Sequence, residues 1–295
     1  MVLRIAFALV SFVAFTSNGY AEDRAANDLD LRRAMAAEAN EIGGLRMALD
    51  KWRGVLVAQD ASATCGCNVE PKVREKLDKA WKYAVTQGFD ADKMARDIHA
   101  ALADNLTAAD MKAVIAFDKS ALGQKIISAT LGSKSSKEEP KPDRLAAEMA
   151  KLAAAAKTLA ANPRRAAVIA ELVEVTDAVK GQIDAMMSVS IGSLKGTAAA
   201  MPPSRPQMPD DQVAELIENQ RRTMQAAFES MMPSAFESMY AAISTQDLKI
   251  YAAWRKTAAA RNFQRVQDAS FIASLRAVSE KIGGHFARSM EGDDI

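Results

Sequence analysis

Both cysteines of this 295-residue chain stand in one short stretch, SATCGCNVEP at residues 62–71, as Cys65-Gly66-Cys67. Thiols so spaced have three uses. They can close a disulfide, because their Cα atoms can approach within about 4.4–6.8 Å and Gly66 eases the turn. They can exchange with other thiols, since a bond closing so small a loop adds little stability and is easily strained. As thiolates they can hold a soft metal such as Cu(I), which also takes thioether ligands. Met201 and Met208 lie in a second sulfur-bearing loop, GTAAAMPPSRPQMPDD at residues 196–211. A disulfide between Cys65 and Cys67, or one joining two chains, is the favoured reading. Thiol redox chemistry or copper handling, with Met201 and Met208 as further ligands, is the alternative.

Other reactive groups are scarce. The chain has two histidines, His99 and His285, so a His-Glu-x-x-His zinc helix is impossible. It has no glycine-rich dinucleotide or phosphate loop, no Gly-x-Ser-x-Gly and no Ser-x-x-Lys. A metal pair on a helix wants a second ligand three or four residues away. Around His99 those positions hold Ala95, Arg96, Leu102 and Ala103, so His99 reads as structural. His285 follows Gly283-Gly284 and reads as a residue of the last helix's terminus. Met224, Met231, Met232 and Met239 recur near a seven-residue spacing, the pattern of core filler. No catalytic residue and no cofactor is assigned, and the chain is not expected to be an enzyme.

The elements that would position these residues are helical. The chain is rich in alanine and poor in aromatic residues, and no segment alternates as a strand would. Met111, Val114, Ile115, Leu122 and Ile126 fall on one face, predicting a helix over 111–130. Thr107 and Asp110 stand before it as a capping pair, the aspartate reaching back to the cap amide. Asp90 should cap a helix over 91–103 and Pro163 should begin one, while Pro233 should start or break one after Met232.

The capping signature returns as Ser244 and Asp247. LTAADMKAVIAFDKSALGQK (106–125) overlays ISTQDLKIYAAWRKTAAARN (243–262) at a constant offset of 137, pairing Phe117 with Trp254, Lys119 with Lys256 and Ser120 with Thr257. LRRAMAAEANEIGG (31–44) resembles RRAAVIAELVEVTDA (164–178) at a slightly different offset. The fold class expected is all-α, a helical bundle built from two repeated multi-helix units. The units run over 22–133 and 143–295, joined by a polar, proline-containing linker over 134–142. The cysteine loop and the methionine loop then occupy equivalent places in the two units.

Residues 1–21 read as a signal peptide: Arg4, an apolar run from Ile5 to Phe15, then small residues before a cut after Ala21. No later segment reaches the length of about 20 residues that spans a bilayer. The full chain carries 38 Lys and Arg against 37 Asp and Glu; losing residues 1–21 removes Arg4 and no acid, which balances them. A neutral chain lacks the counterion-release drive toward nucleic acid, so no nucleic-acid partner is expected.

The segment Phe117-Asp118-Lys119-Ser120-Ala121-Leu122-Gly123-Gln124-Lys125 resembles an exported bacterial all-helical family known only as a domain of unknown function. In that family a capped helix is followed by a Phe-Tyr-x-Ser-Pro-x-Gly-x-Lys-like segment. Asp118 and Ala121 stand at its Tyr and Pro positions, and the second unit has no glycine there. The resemblance implies a small helical periplasmic domain, possibly in two copies, and assigns no catalytic residue. Gly123 costs a helix about 1 kcal/mol against alanine, so close packing is its favoured explanation. The expected function is non-catalytic binding or structural support in the periplasm or outside the cell. Its partner would be an envelope protein or a second copy of the chain.

Overall fold

The computed structural model describes residues 28–58, 70–132, 143–201 and 209–291. Those residues form twelve α-helices and no strand, so the protein is all-α. The first half contains α1 (residues 28–42), α2 (Leu45–Ala58), α3 (Pro71–Gly88), α4 (Ala91–Asn105), α5 (Ala108–Lys119) and α6 (Ala121–Leu131). The second half contains α7 (Asp143–Ala161), α8 (Pro163–Val175), α9 (Ala178–Ala200), α10 (Asp210–Met239), α11 (Thr245–Arg255) and α12 (Ala258–Glu291). Among the described residues no helix is long and apolar enough to cross a membrane. The expected signal peptide, the linker over 134–142, Cys65, Cys67 and Met208 all lie outside the described residues.

Side-chain caps set several helix starts. Asp90 accepts from Lys93 N at 2.8 Å, Thr107 from Asp110 N at 3.0 Å, Asn162 from Arg165 N at 3.1 Å and Ser244 from Asp247 N at 3.0 Å. Each satisfies an N–H that the first turn leaves without a helical partner. The Asp110 carboxylate takes a bond from the Thr107 hydroxyl at 2.9 Å, where the sequence suggested a bond from the cap amide.

Two sequence expectations are corrected. The predicted helix over 111–130 is two helices, broken at Ser120, whose backbone is extended with φ −67° and ψ 158°. α10 runs unbroken through Pro233, where a break was expected. A proline forfeits one helical hydrogen bond, but Met232 and Phe236 on either side are buried in the core and hold both turns in place.

Two apolar clusters result. The first joins α1 to α5 with Ala185 of α9 and with Phe263, Val266, Leu275, Val278 and Ile282 of α12. The second joins Ile126 of α6 to Val168, Ile169 and Leu172 of α8, Phe236 of α10, Tyr240 and Ile243 of the following turn, and Leu248 and Tyr251 of α11. α12 lies along α9 and also packs on α3, α4 and α5, tying the halves together.

Contacts recur between the halves. Lys119 pairs with Glu38, and Lys256 with Glu171. Arg32 donates to Ala103 O at 2.6 Å, and Arg165 to Tyr240 O at 2.8 Å. Ser120 Oγ accepts from Gly123 N at 3.0 Å, and Thr257 Oγ1 from Ala260 N at 3.3 Å. The halves differ where α3 and α4 are separate helices while α10 is continuous.

Candidate functional site

The segment 117–125 builds the turn between α5 and α6. The Ser120 hydroxyl donates to Phe117 O at 2.6 Å while its oxygen receives Gly123 N, so one side chain both ends α5 and caps α6. The Gln124 amide donates to Asp118 O at 2.6 Å. Lys119 reaches back to Glu38 on α1, and Lys125 approaches Asp247 on α11 at 3.7 Å. Gly123 is required by the turn itself: a Cβ there would lie 2.1 Å from Phe117 O. The close approach is to the preceding helix end rather than to a distant helix. Gly123→Ala should therefore destabilise the protein by about 1–3 kcal/mol, although the same change in an open helix stabilises. A lower denaturant midpoint with an unchanged m-value would record this.

Phe117 leaves the turn to stack on Trp254, with ring centroids 3.8 Å apart and planes 10° from parallel. These two residues are the pair that the sequence overlay superimposes. Tyr251 lies 6.0 Å from both rings at small interplanar angles. Thr130 and Tyr240 bring their hydroxyls to 3.4 Å nearby.

A polar group borders the stack. Arg255 donates to the Gln264 side-chain amide oxygen and holds its guanidinium carbon 5.7 Å from the Trp254 ring centroid. Gln264 in turn donates to Thr176 O, beside Asp177, which sits in the left-handed region at φ 47°. Burial pushes the Asp118 carboxyl up to about 6, against the opposing pull of the Arg255 guanidinium. Burial also raises Asp268, opposed by its hydrogen bond from Gln264 and by Arg255. The fully buried Tyr251 phenol is raised for the same first reason. The arrangement can hold a proton on Asp118 up to about pH 6, but neither histidine stands among these groups.

The turn lies inside a stretch that matches a known family model. Residues 92–136 match the family described as "Uncharacterized protein conserved in bacteria (DUF2059)". The DUF2059 match begins in α4, includes α5 and α6 and contains Phe117, Asp118, Ser120 and Gly123. No curated protein and no solved structure matches the chain.

The other candidates are dispersed. His99 is half-buried on α4, and desolvation lowers its pKa. His285 lies within the last turns of α12, where burial and then Arg288 and Lys281 lower it; Arg288 Nη2 is 3.5 Å from its Nδ1. Gly283 and Gly284 are helical, and Gly283 packs against Ser193 of α9. Met201, at the end of α9, is half-buried, and its N–H bonds back to Thr197 O at 3.1 Å. Of the α10 methionines only Met232 is buried; Met231 and Met239 are exposed and Met224 is intermediate, so the seven-residue spacing is not a core stripe. Among the described residues no three His, Cys, Asp or Glu side chains are placed to hold a metal ion.

Sequence reading missed Asp118 and Arg255. The signal was present: the overlay that pairs Phe117 with Trp254 also sets Asp118 against Arg255, opposite charges at equivalent positions. In the unfolded chain Asp118 titrates near about 3.9, but in the fold it keeps its proton up to about 6. The folded state thus binds more protons between about pH 4 and 6, and stability falls as pH rises through that window. Asp118→Asn should flatten the profile and raise stability at pH 7 by roughly 1–2 kcal/mol, after allowance for solvent screening. Thermal melts of both proteins across the window will check it.

Proposed function

We propose that this chain is an exported bacterial protein that acts by binding or structural support in the cell envelope, without catalysis. Its body would be two copies of one helical unit, residues 22–133 and 143–295, following a signal peptide over 1–21. The fate of the 117–125 side chains carries the reading. Phe117, Lys119, Ser120, Gly123 and Gln124 are each engaged in stacking, capping or pairing within the fold. Side chains engaged in this way support a structural role for the segment. The two-copy reading is supported by the recurring Lys–Glu pairs, arginine–carbonyl bonds and hydroxyl caps of the two halves.

Fractionation of cells expressing the full chain tests the proposal. The product expected is a periplasmic or secreted polypeptide beginning at Glu22, shown by its mass. A chain retained in the cytoplasm with residues 1–21 intact would overturn export. Turnover of a hydrolase or transferase substrate, lost on changing a single residue near Asp118, would overturn the non-catalytic reading. Thiol counting and copper analysis of the same periplasmic material separate it from a sulfur-based role for Cys65 and Cys67.

A further inference from the structure

The outer face of α3 carries an ordered row of positive charge. Lys72, Lys76, Lys79 and Tyr83 stand at i, i+4, i+7 and i+11, one stripe of a helix. Lys82 flanks the stripe. Lys72, Lys79 and Lys82 are exposed, Lys76 is half-exposed and the Tyr83 side chain is 53% exposed. The helix is locked in rotation by its other face. Ala80, Trp81, Ala84, Val85 and Gly88 are buried there. Trp81 Nε1 donates to Leu56 O at 2.7 Å, and the ring meets Phe286 edge-on at 5.9 Å.

The helix holds five basic residues against two acidic ones, an excess of positive charge, and Lys79 of the stripe is paired with Glu75 at 2.9 Å. On the neighbouring α2, Lys51 and Arg53 are exposed beside Asp50. At the overlay offset, α3 corresponds to the start of α10, where DDQVAELIENQRRTMQ (210–225) carries four acidic residues against two basic. A chain of balanced charge thus gathers positive excess on one helix and negative excess on its counterpart.

We propose that the Lys72–Lys76–Lys79–Tyr83 face of α3 seats the protein on an anionic lipid surface, in keeping with the envelope placement proposed above. Lysine is a compact, strongly hydrated point charge without the planar fork that defines a single-phosphate site. A row of them suits a field of headgroups, attracted additively and screened by salt. Tyr83, apolar in its ring and polar at its tip, is the residue type that settles at headgroup depth.

Vesicle sedimentation of the mature chain, residues 22–295, tests this. It should sediment with vesicles containing phosphatidylglycerol and not with phosphatidylcholine alone, and the binding should fall as salt rises. The triple variant Lys72→Gln, Lys76→Gln, Lys79→Gln should lose about tenfold or more in vesicle affinity while keeping its helicity and melting temperature. Tyr83→Ser should weaken binding without changing the salt dependence, and it serves if the triple variant does not fold. Glu215→Gln with Glu218→Gln on α10 should leave vesicle binding intact. Equal binding to both vesicle types, or none, overturns the proposal. So does a lysine variant that instead abolishes concentration-dependent self-association, which would make a second copy the partner. Cytoplasmic retention in the fractionation experiment would remove the envelope reading while leaving the vesicle result to stand or fall alone.

Discussion

Replacing Arg165 with methionine will destabilise the protein by about 3–5 kcal/mol, the range for breaking a buried ion pair by removing one partner. Arg165 and Glu237 retain 9% and 5% of their side-chain exposure, and Nε meets Oε2 at 2.6 Å. The guanidinium also donates to Ile243 O and Tyr240 O, both at 2.8 Å. One side chain on α8 therefore fixes the end of α10 and the turn that leads to α11. Methionine keeps most of the apolar stem but leaves the Glu237 carboxylate without its counter-charge and two turn carbonyls without donors. The double variant Arg165→Met, Glu237→Leu should recover most of the loss, because replacing both members of a buried pair is often nearly neutral. Urea titration of the two singles and the double gives the cycle. Arg32, its counterpart in the first half, pairs with Asp28 at a more open site, with side chains 22% and 56% exposed. Arg32→Met should cost only about 1 kcal/mol. An equal loss at both positions would mean that burial does not set the scale.

The same contrast shows what the sequence could disclose. Helix existence was legible from apolar spacing, the starts at Asp90, Thr107 and Ser244 from cap chemistry, and the start at Pro163 from the proline itself, because these are local signals. The break at Ser120 was not, since the apolar stripe from Met111 to Ile126 continues across it. What ends α5 is a serine bonding in two directions at once, together with a glycine that the turn admits. Pro233 misled in the opposite sense: a local breaker is overridden when core contacts grip the turns on either side. Phe117 and Trp254 were paired as equivalents, yet their stacking on one another follows from how two halves meet, which no window of sequence contains. Asp118 and Arg255 acquire their character from that same meeting. The Arg165 bonds depend on residues 72 to 78 positions away, which no local pattern discloses.

Gly196→Ala will bring the second of the largest losses, about 3 kcal/mol or more, through the contact between α9 and α12. A Cβ at Gly196 would stand 1.8 Å from Glu280 O, and one at Gly192 would stand 2.5 Å from Arg276 O. These obstacles are backbone atoms of α12, so no rotamer change relieves them and the helices must separate. Separation would also loosen Ser188, Ser279 and Val278, all buried, and with them the helix that joins the two halves. Gly181 lies on the same α9 with nothing within 4 Å of its would-be Cβ. There alanine only removes backbone freedom from the unfolded chain, and Gly181→Ala should stabilise by about 1 kcal/mol. The two variants change the same residue type in one helix and differ only in what faces them. Opposite shifts in denaturation midpoint are therefore expected, and shifts of the same sign would show that α9 and α12 do not approach backbone to backbone.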